Sequence, residues 1–137
     1  MAPSRSSKPA IPDRDGHRLA RLAREAIDAA LGGPAFDGPV PAGCDGSGAS
    51  FVTLAVDGEL RGCVGSPLPR PSLVEGAMDH ARAAAFHDRR FDPLRREELS
   101  RLAVEVSVLS PLRPLACANE EELLIHRAPI SWTTRRG

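Results

Sequence analysis

Tyrosine is absent from this chain, and phenylalanine and tryptophan together make up only 4% of it. So few rings leave little on which unpaired bases could stack, which counts against a nucleic-acid binder. Lysine is almost missing as well: Lys8 is the only one among 18 basic residues, and 18 acidic residues bring the net charge to zero. A neutral chain has no overall attraction for a phosphate backbone or an anionic membrane surface. No apolar run approaches the roughly 18 residues that span a bilayer. Residues 1–11 contain Pro and Ser but no apolar stretch of signal-peptide length. The three cysteines, Cys44, Cys63 and Cys117, are too few and too scattered for a disulfide framework or a zinc set. Phosphate loops, G-x-S-x-G, H-E-x-x-H and dinucleotide fingerprints are all missing. A reducing cytoplasm is the expected compartment, and neither a cofactor nor a metal is expected.

What is present is an ordinary globular composition. With 137 residues and 42% apolar content, the chain can build one sizeable core. Residues 1–12 read as a loose N-terminal arm. From residue 15 to 31, Leu19, Leu22, Ala23, Ala26, Ile27, Ala30 and Leu31 form an i, i+3, i+4 stripe that predicts a helix lying on a sheet. Gly32-Gly33-Pro34 stops it, and a long irregular connection follows to Ser50. Residues 51–56 and 59–64 are rich in strand formers and are separated by Asp57-Gly58, a strong hairpin signal. Pro67, Pro69 and Pro71 stiffen a connector to Ser72, which with Glu75 makes a capping box for an alanine-rich helix reaching about Phe86. A charged loop and a short helical turn at 95–99 precede a strictly alternating strand at 102–110. The predicted class is α+β.

Cys63 is the sharpest functional candidate. It lies on the second hairpin strand between Gly62 and Gly65, close to Arg61. Exposed beside a guanidinium it would serve as a nucleophile, a redox thiol or a ligand; otherwise it is a small buried hydrophobe, as free cysteine usually is. Glu105, in a strand of apolar residues, must be solvated or paired. Arg61 is the natural partner if the strands are neighbours, and an outward-facing position is the other reading. Ser107 shares the face of Glu105. His80 and His87 are read as helix-surface residues, since no carboxylate spacing makes a metal triad with them. Asp88, Arg90 and Phe91 either line a cleft or simply lock their loop. Cys44 and Cys117 carry no expected role.

At Leu60-Arg61-Gly62-Cys63-Val64-Gly65 the chain resembles the AMMECR domain family, whose hallmark is this hexapeptide. Phe51-Val52-Thr53-Leu54, Asp57-Gly58-Glu59, Ala84-Ala85-Phe86 with Asp88, Arg90 and Phe91, and the stretch from Glu105 to Pro111 match in the same order. The resemblance implies two α+β subdomains, each with an antiparallel sheet, and a cleft between them that the hexapeptide faces. Leu60, Gly62, Val64, Gly65, Asp88, Arg90, Phe91 and Ser107 would line it. The resemblance also implies membership of the AmmeMemoRadiSam system, with a Memo-like dioxygenase-related protein and a radical SAM protein as partners. It brings no established reaction. Two functions follow: a binding module for a protein or peptide, or an enzyme in which Cys63 reacts, Arg61 tunes it and Glu105 orients Arg61. Residues 13–124 would form the domain. Residues 125–137 look like a divergent tail of a truncated or frame-shifted product, with an incomplete C-terminal part and Trp132 poorly buried.

Overall fold

The computed structural model describes residues 11–34, 40–44, 46–109 and 130–134. Helix α1 (Asp13–Ala30) is followed by a 3-10 turn (Ala42–Cys44) and the hairpin strands β1 (Ala49–Val56) and β2 (Glu59–Gly65). Helix α2 (Leu73–Phe86), a second 3-10 segment (Arg96–Arg101) and strands β3 (Leu102–Leu109) and β4 (Ile130–Thr134) complete the order. The strands form one antiparallel sheet in the order β2-β1-β3-β4. The fold class is α+β, as the sequence predicts. A second sheet is not seen among the described residues.

Local chemistry explains the boundaries. Gly32 takes φ +96° just past α1, and the Gly33 N–H donates to Asp28 O, so two glycines close the helix end. At the hairpin, Asp57 and Gly58 both have positive φ, 54° and 83°, the geometry whose twist suits adjoining antiparallel strands. Ser72 Oγ accepts the N–H of Glu75 at 3.1 Å and caps α2 as expected.

Both helices lie on one face of the sheet. Leu19, Leu22 and Ile27 of α1, Ala77, Ala81 and Ala84 of α2, and Val52, Leu54, Val104 and Val106 of the strands make one fully or nearly fully buried cluster. Each large aliphatic side chain removed from water here contributes roughly 1.5–3 kcal/mol. The alternating residues Phe51, Thr53, Cys63, Glu105 and Ser107 point to the other face and are half-buried.

Strand β4 corrects one expectation. Trp132 is 4% exposed and belongs to the core, not to a loose tail. Its indole packs where a side chain on Gly16 would stand, and its Nε1–H donates to Asp13 Oδ1 at 3.3 Å.

Candidate functional site

Strand register brings the candidate residues together in rows. Cys63 pairs with Thr53, and Thr53 pairs with Glu105 on its other side; Gly65, Phe51 and Ser107 form the next row. The Cys63–Thr53 pair has its side chains close, with Thr53 Oγ1 and Cys63 Sγ 3.3 Å apart. Cys63 is a free, half-buried thiol on the face away from both helices. It is thus distinct from Cys44, which is buried and whose thiol is pushed up to about 11, first by burial and then by the charge of Asp15.

Gly62 and Gly65 have separate packing reasons. A Cβ on Gly62 would overlap the carbonyl of Ala84, so α2 approaches β2 only because that position is bare. A Cβ on Gly65 would collide with Phe51. The glycines therefore bring backbone and ring close on both sides of the thiol. Leu60 is largely exposed, while Val64 is half-buried against the core.

Arg61 does not pair with Glu105, which corrects the expectation that Glu105 orients it. The pairing shifts between Leu54 and Ala55, whose partners are Gly62 and Leu60, so Arg61 is the extra residue of a β-bulge. A bulge re-aims the side chain it carries. Arg61 turns towards the second 3-10 segment, where Nε and Nη2 donate to the two carboxylate oxygens of Glu98 at 3.0 and 3.1 Å. It also donates to the carbonyls of Asp92 (2.7 Å) and Pro93 (3.3 Å). Hydrogen bonding from Arg61 holds the Glu98 carboxyl below the usual range, against the opposing effect of burial. Arg61 is thus a staple between the edge strand and the loop after α2.

That loop also supplies Asp88, whose side chain is 7% exposed. Its Oδ2 accepts the backbone N–H of Cys63 at 3.0 Å. Arg90 grips the same carboxylate through Nε at 3.1 Å and Nη2 at 2.8 Å, and its backbone N–H donates to Oδ1. Together these bonds, led by the Arg90 side chain, hold the Asp88 carboxyl far below the usual carboxylate range. Arg90 holds its own proton more tightly, chiefly through the Asp88 hydrogen bond and charge, and in lesser part through the Cys63 sulfur. Its guanidinium sits over the Phe91 ring, 5.3 Å from the centroid. Asp88 and Arg90 thus lock their loop, and Asp88 ties it to the backbone of Cys63.

His80 is the other correction. It is 9% exposed, not on the surface, and its Nδ1 lies 3.0 Å from Ser50 Oγ on β1. Ser50 is itself buried, so the pair joins α2 to the sheet. His80 stands three residues after Ala77 and four before Ala84, on the buried face of α2. Its partner Ser50 carried no sequence signal. Neither did Glu98, because the bulge is invisible in the pattern of alternation. Cys117 lies outside the described residues. Among the described residues, no group of three or more His, Cys, Asp or Glu side chains could hold a metal ion, and no helix is long and apolar enough to cross a membrane.

Comparison with known proteins matches the AMMECR1 family model to residues 20–134. A protein from Aeropyrum pernix is 44% identical over 110 residues, covering 77% of this chain and 48% of that one. A protein from Methanosarcina acetivorans is 39% identical over 106 residues, covering 73% of this chain and 53% of that one. The crystal structure of an uncharacterised protein from Pyrococcus horikoshii superposes with a TM-score of 0.67 at 40% identity, covering 74% of this chain and 54% of that one. The chain spans about half the length of these relatives.

Proposed function

We propose, from the premise that the chain belongs to the AMMECR1 family, that it is a protein- or peptide-binding module or accessory subunit working with Memo-like and radical SAM proteins. The observation that supports this is the second face of the sheet. Thr53, Cys63, Glu105 and Ser107 form a half-buried, mostly polar surface, and no described helix lies on it. Small polar groups in a fixed grid suit recognition of a partner's backbone and side chains. Beside Cys63 no base stands oriented by a third group among the described hydrogen bonds, which is what a nucleophilic mechanism asks for. The test is calorimetric titration of the chain with a purified Memo-like protein. Binding should be abolished by Ser107→Arg, which adds a bulky charge to this face, and retained by Cys63→Ser. Absence of heat and of any stable complex with either partner protein refutes the reading.

The alternative, an enzyme using Cys63 as nucleophile, redox thiol or ligand, is favoured by one observation: Cys63 is a free, half-buried thiol whose backbone N–H is held by the same carboxylate, Asp88, that binds the Arg90 guanidinium. Intact-mass alkylation across pH separates the two readings. Rapid labelling of Cys63 well below pH 8 supports catalysis; labelling at an ordinary thiol rate removes it. Cys44, buried under α1, is the internal comparison.

A further inference from the structure

The bulge that sends Arg61 to Glu98 leaves Glu105 without the partner that strand alternation would give it. Glu105 is half-buried in the middle of β3, on the sheet face away from both helices. Among the described residues, none donates a hydrogen bond to its carboxylate or makes an ion pair with it. Three arginines of the adjoining segments are committed elsewhere: Arg61 to Glu98, Arg90 to Asp88 and Arg101 to Asp57. A carboxylate that has lost part of its water and gained no cation is unfavourable as it stands. A cation brought by another molecule relieves that penalty.

The residues beside Glu105 are acceptors as well. Register sets Thr53 of β1 on one side of it and Thr133 of β4 on the other, so the row across the sheet runs Cys63, Thr53, Glu105, Thr133. Strands about 4.8 Å apart put both threonine hydroxyls within reach of a group seated on the carboxylate. The next row sets Ser107 beside Ser131. Ser131 and Thr133 are exposed, so both rows are reached from the β4 side. Glu105 is the one charged residue in the two rows, and the hydroxyls around it add hydrogen-bond acceptors without adding charge.

We propose that the Glu105 row seats an arginine side chain of the partner protein, with the guanidinium forked onto the Glu105 carboxylate and its outer N–H groups donating to the Thr53 and Thr133 hydroxyls. The inference rests on the reading of this face as a partner-binding surface and names what that surface recognises. Arginine suits the row better than lysine. Its planar fork matches a carboxylate in two places and still has donors left for acceptors on either side, whereas an ammonium is a compact point charge. A guanidinium is also more weakly hydrated, so it gives up less on entering a half-buried site.

The test follows amide chemical shifts by NMR while the chain is titrated with a capped pentapeptide of glycine and serine around one central arginine. Counterparts carry citrulline, the neutral isostere, or lysine. The arginine peptide should shift the amides of Thr53, Glu105, Ser107 and Thr133 saturably, with an affinity in the millimolar range. Affinity should fall about tenfold or more in Glu105→Gln and with citrulline, and severalfold with lysine and in Thr133→Val. Glu105 has no described partner to lose, so Glu105→Gln should fold as the parent does; Thr133→Val, which keeps shape and strand propensity, is the second variant. Absence of shifts on this face, equal binding of the citrulline or lysine peptide, or indifference to Glu105→Gln overturns the proposal. Titration with the Memo-like protein, run on parent and Glu105→Gln, separates the two readings. Equal binding of that protein to both removes the arginine seat and leaves the binding module. Binding of the arginine peptide without binding of that protein does the reverse.

Discussion

Asp88 Oδ2 accepts the backbone N–H of Cys63 at 3.0 Å, so a carboxylate from the loop after α2 closes the outer edge of the strand that carries the thiol. The same carboxylate holds Arg90 in a two-toothed grip. One side chain therefore holds both the backbone at Cys63 and the guanidinium of Arg90. Replacing Asp88 with Ala should free the Cys63 amide, raising its hydrogen-exchange rate by about an order of magnitude while distant core amides stay protected. Because the Asp88 carboxyl is depressed in the fold, its stabilising effect is complete above the ordinary carboxylate pKa of 3.8. It should fade as pH falls from there towards the folded value. Urea midpoints followed from neutral pH downwards should show a weaker acid loss in Asp88→Asn than in the parent. An identical pH profile for the two proteins contradicts this role.

Arg61 and Glu98 should be energetically coupled, whereas Arg61 and Glu105 should not. Truncating Arg61 strands a largely buried carboxylate, Glu98 being only 19% exposed in its side chain. Arg61→Ala should cost about 1–3 kcal/mol in urea unfolding. In double-mutant cycles the Arg61/Glu98 pair should show a coupling of about 0.5–3 kcal/mol, and the Arg61/Glu105 pair should be additive within about 0.5 kcal/mol. The opposite ranking restores the pairing expected from strand alternation.

His80 should make the fold sensitive to mild acid. Burial lowers its pKa first, the positive charge of Arg70 adds to this, and Asp79 opposes it; Ser50 faces its Nδ1. Since the folded value lies below 6.5, the unfolded chain takes up the proton first. Stability should therefore be at its plateau above about pH 6.5 and decline as pH drops through that value. His80→Gln should flatten this limb of the stability profile between pH 7 and 5. Thermal unfolding across that range is the measurement; a slope unchanged by the substitution counts against the assignment.

Trp132 is the chain's only tryptophan, so its fluorescence reports the docking of β4. Trp132→Ala should cost about 3–5 kcal/mol by emptying a core site. Gly16→Ala should also destabilise, because its methyl would overlap the indole, and should shift the emission to the red. Combined with Trp132→Ala, the Gly16→Ala penalty should largely vanish. Additive losses would mean that helix and indole do not meet.

The periodicity of α1, the Asp-Gly hairpin, the Ser72 cap and the alternation of Leu102, Val104 and Val106 are local properties, and each was legible in the chain. Local rules of spacing and turn geometry decide them before any tertiary contact forms. The hexapeptide likewise identified the family, because its residues are contiguous. Tertiary structure alone decided which groups meet. A single bulged residue sent Arg61 to Glu98, and buried space drew His80 onto Ser50. The bareness of Gly16 gave Trp132 its place beneath α1, 116 positions away in the chain. Such partnerships depend on register and packing between segments far apart in the sequence, and no local pattern encodes either.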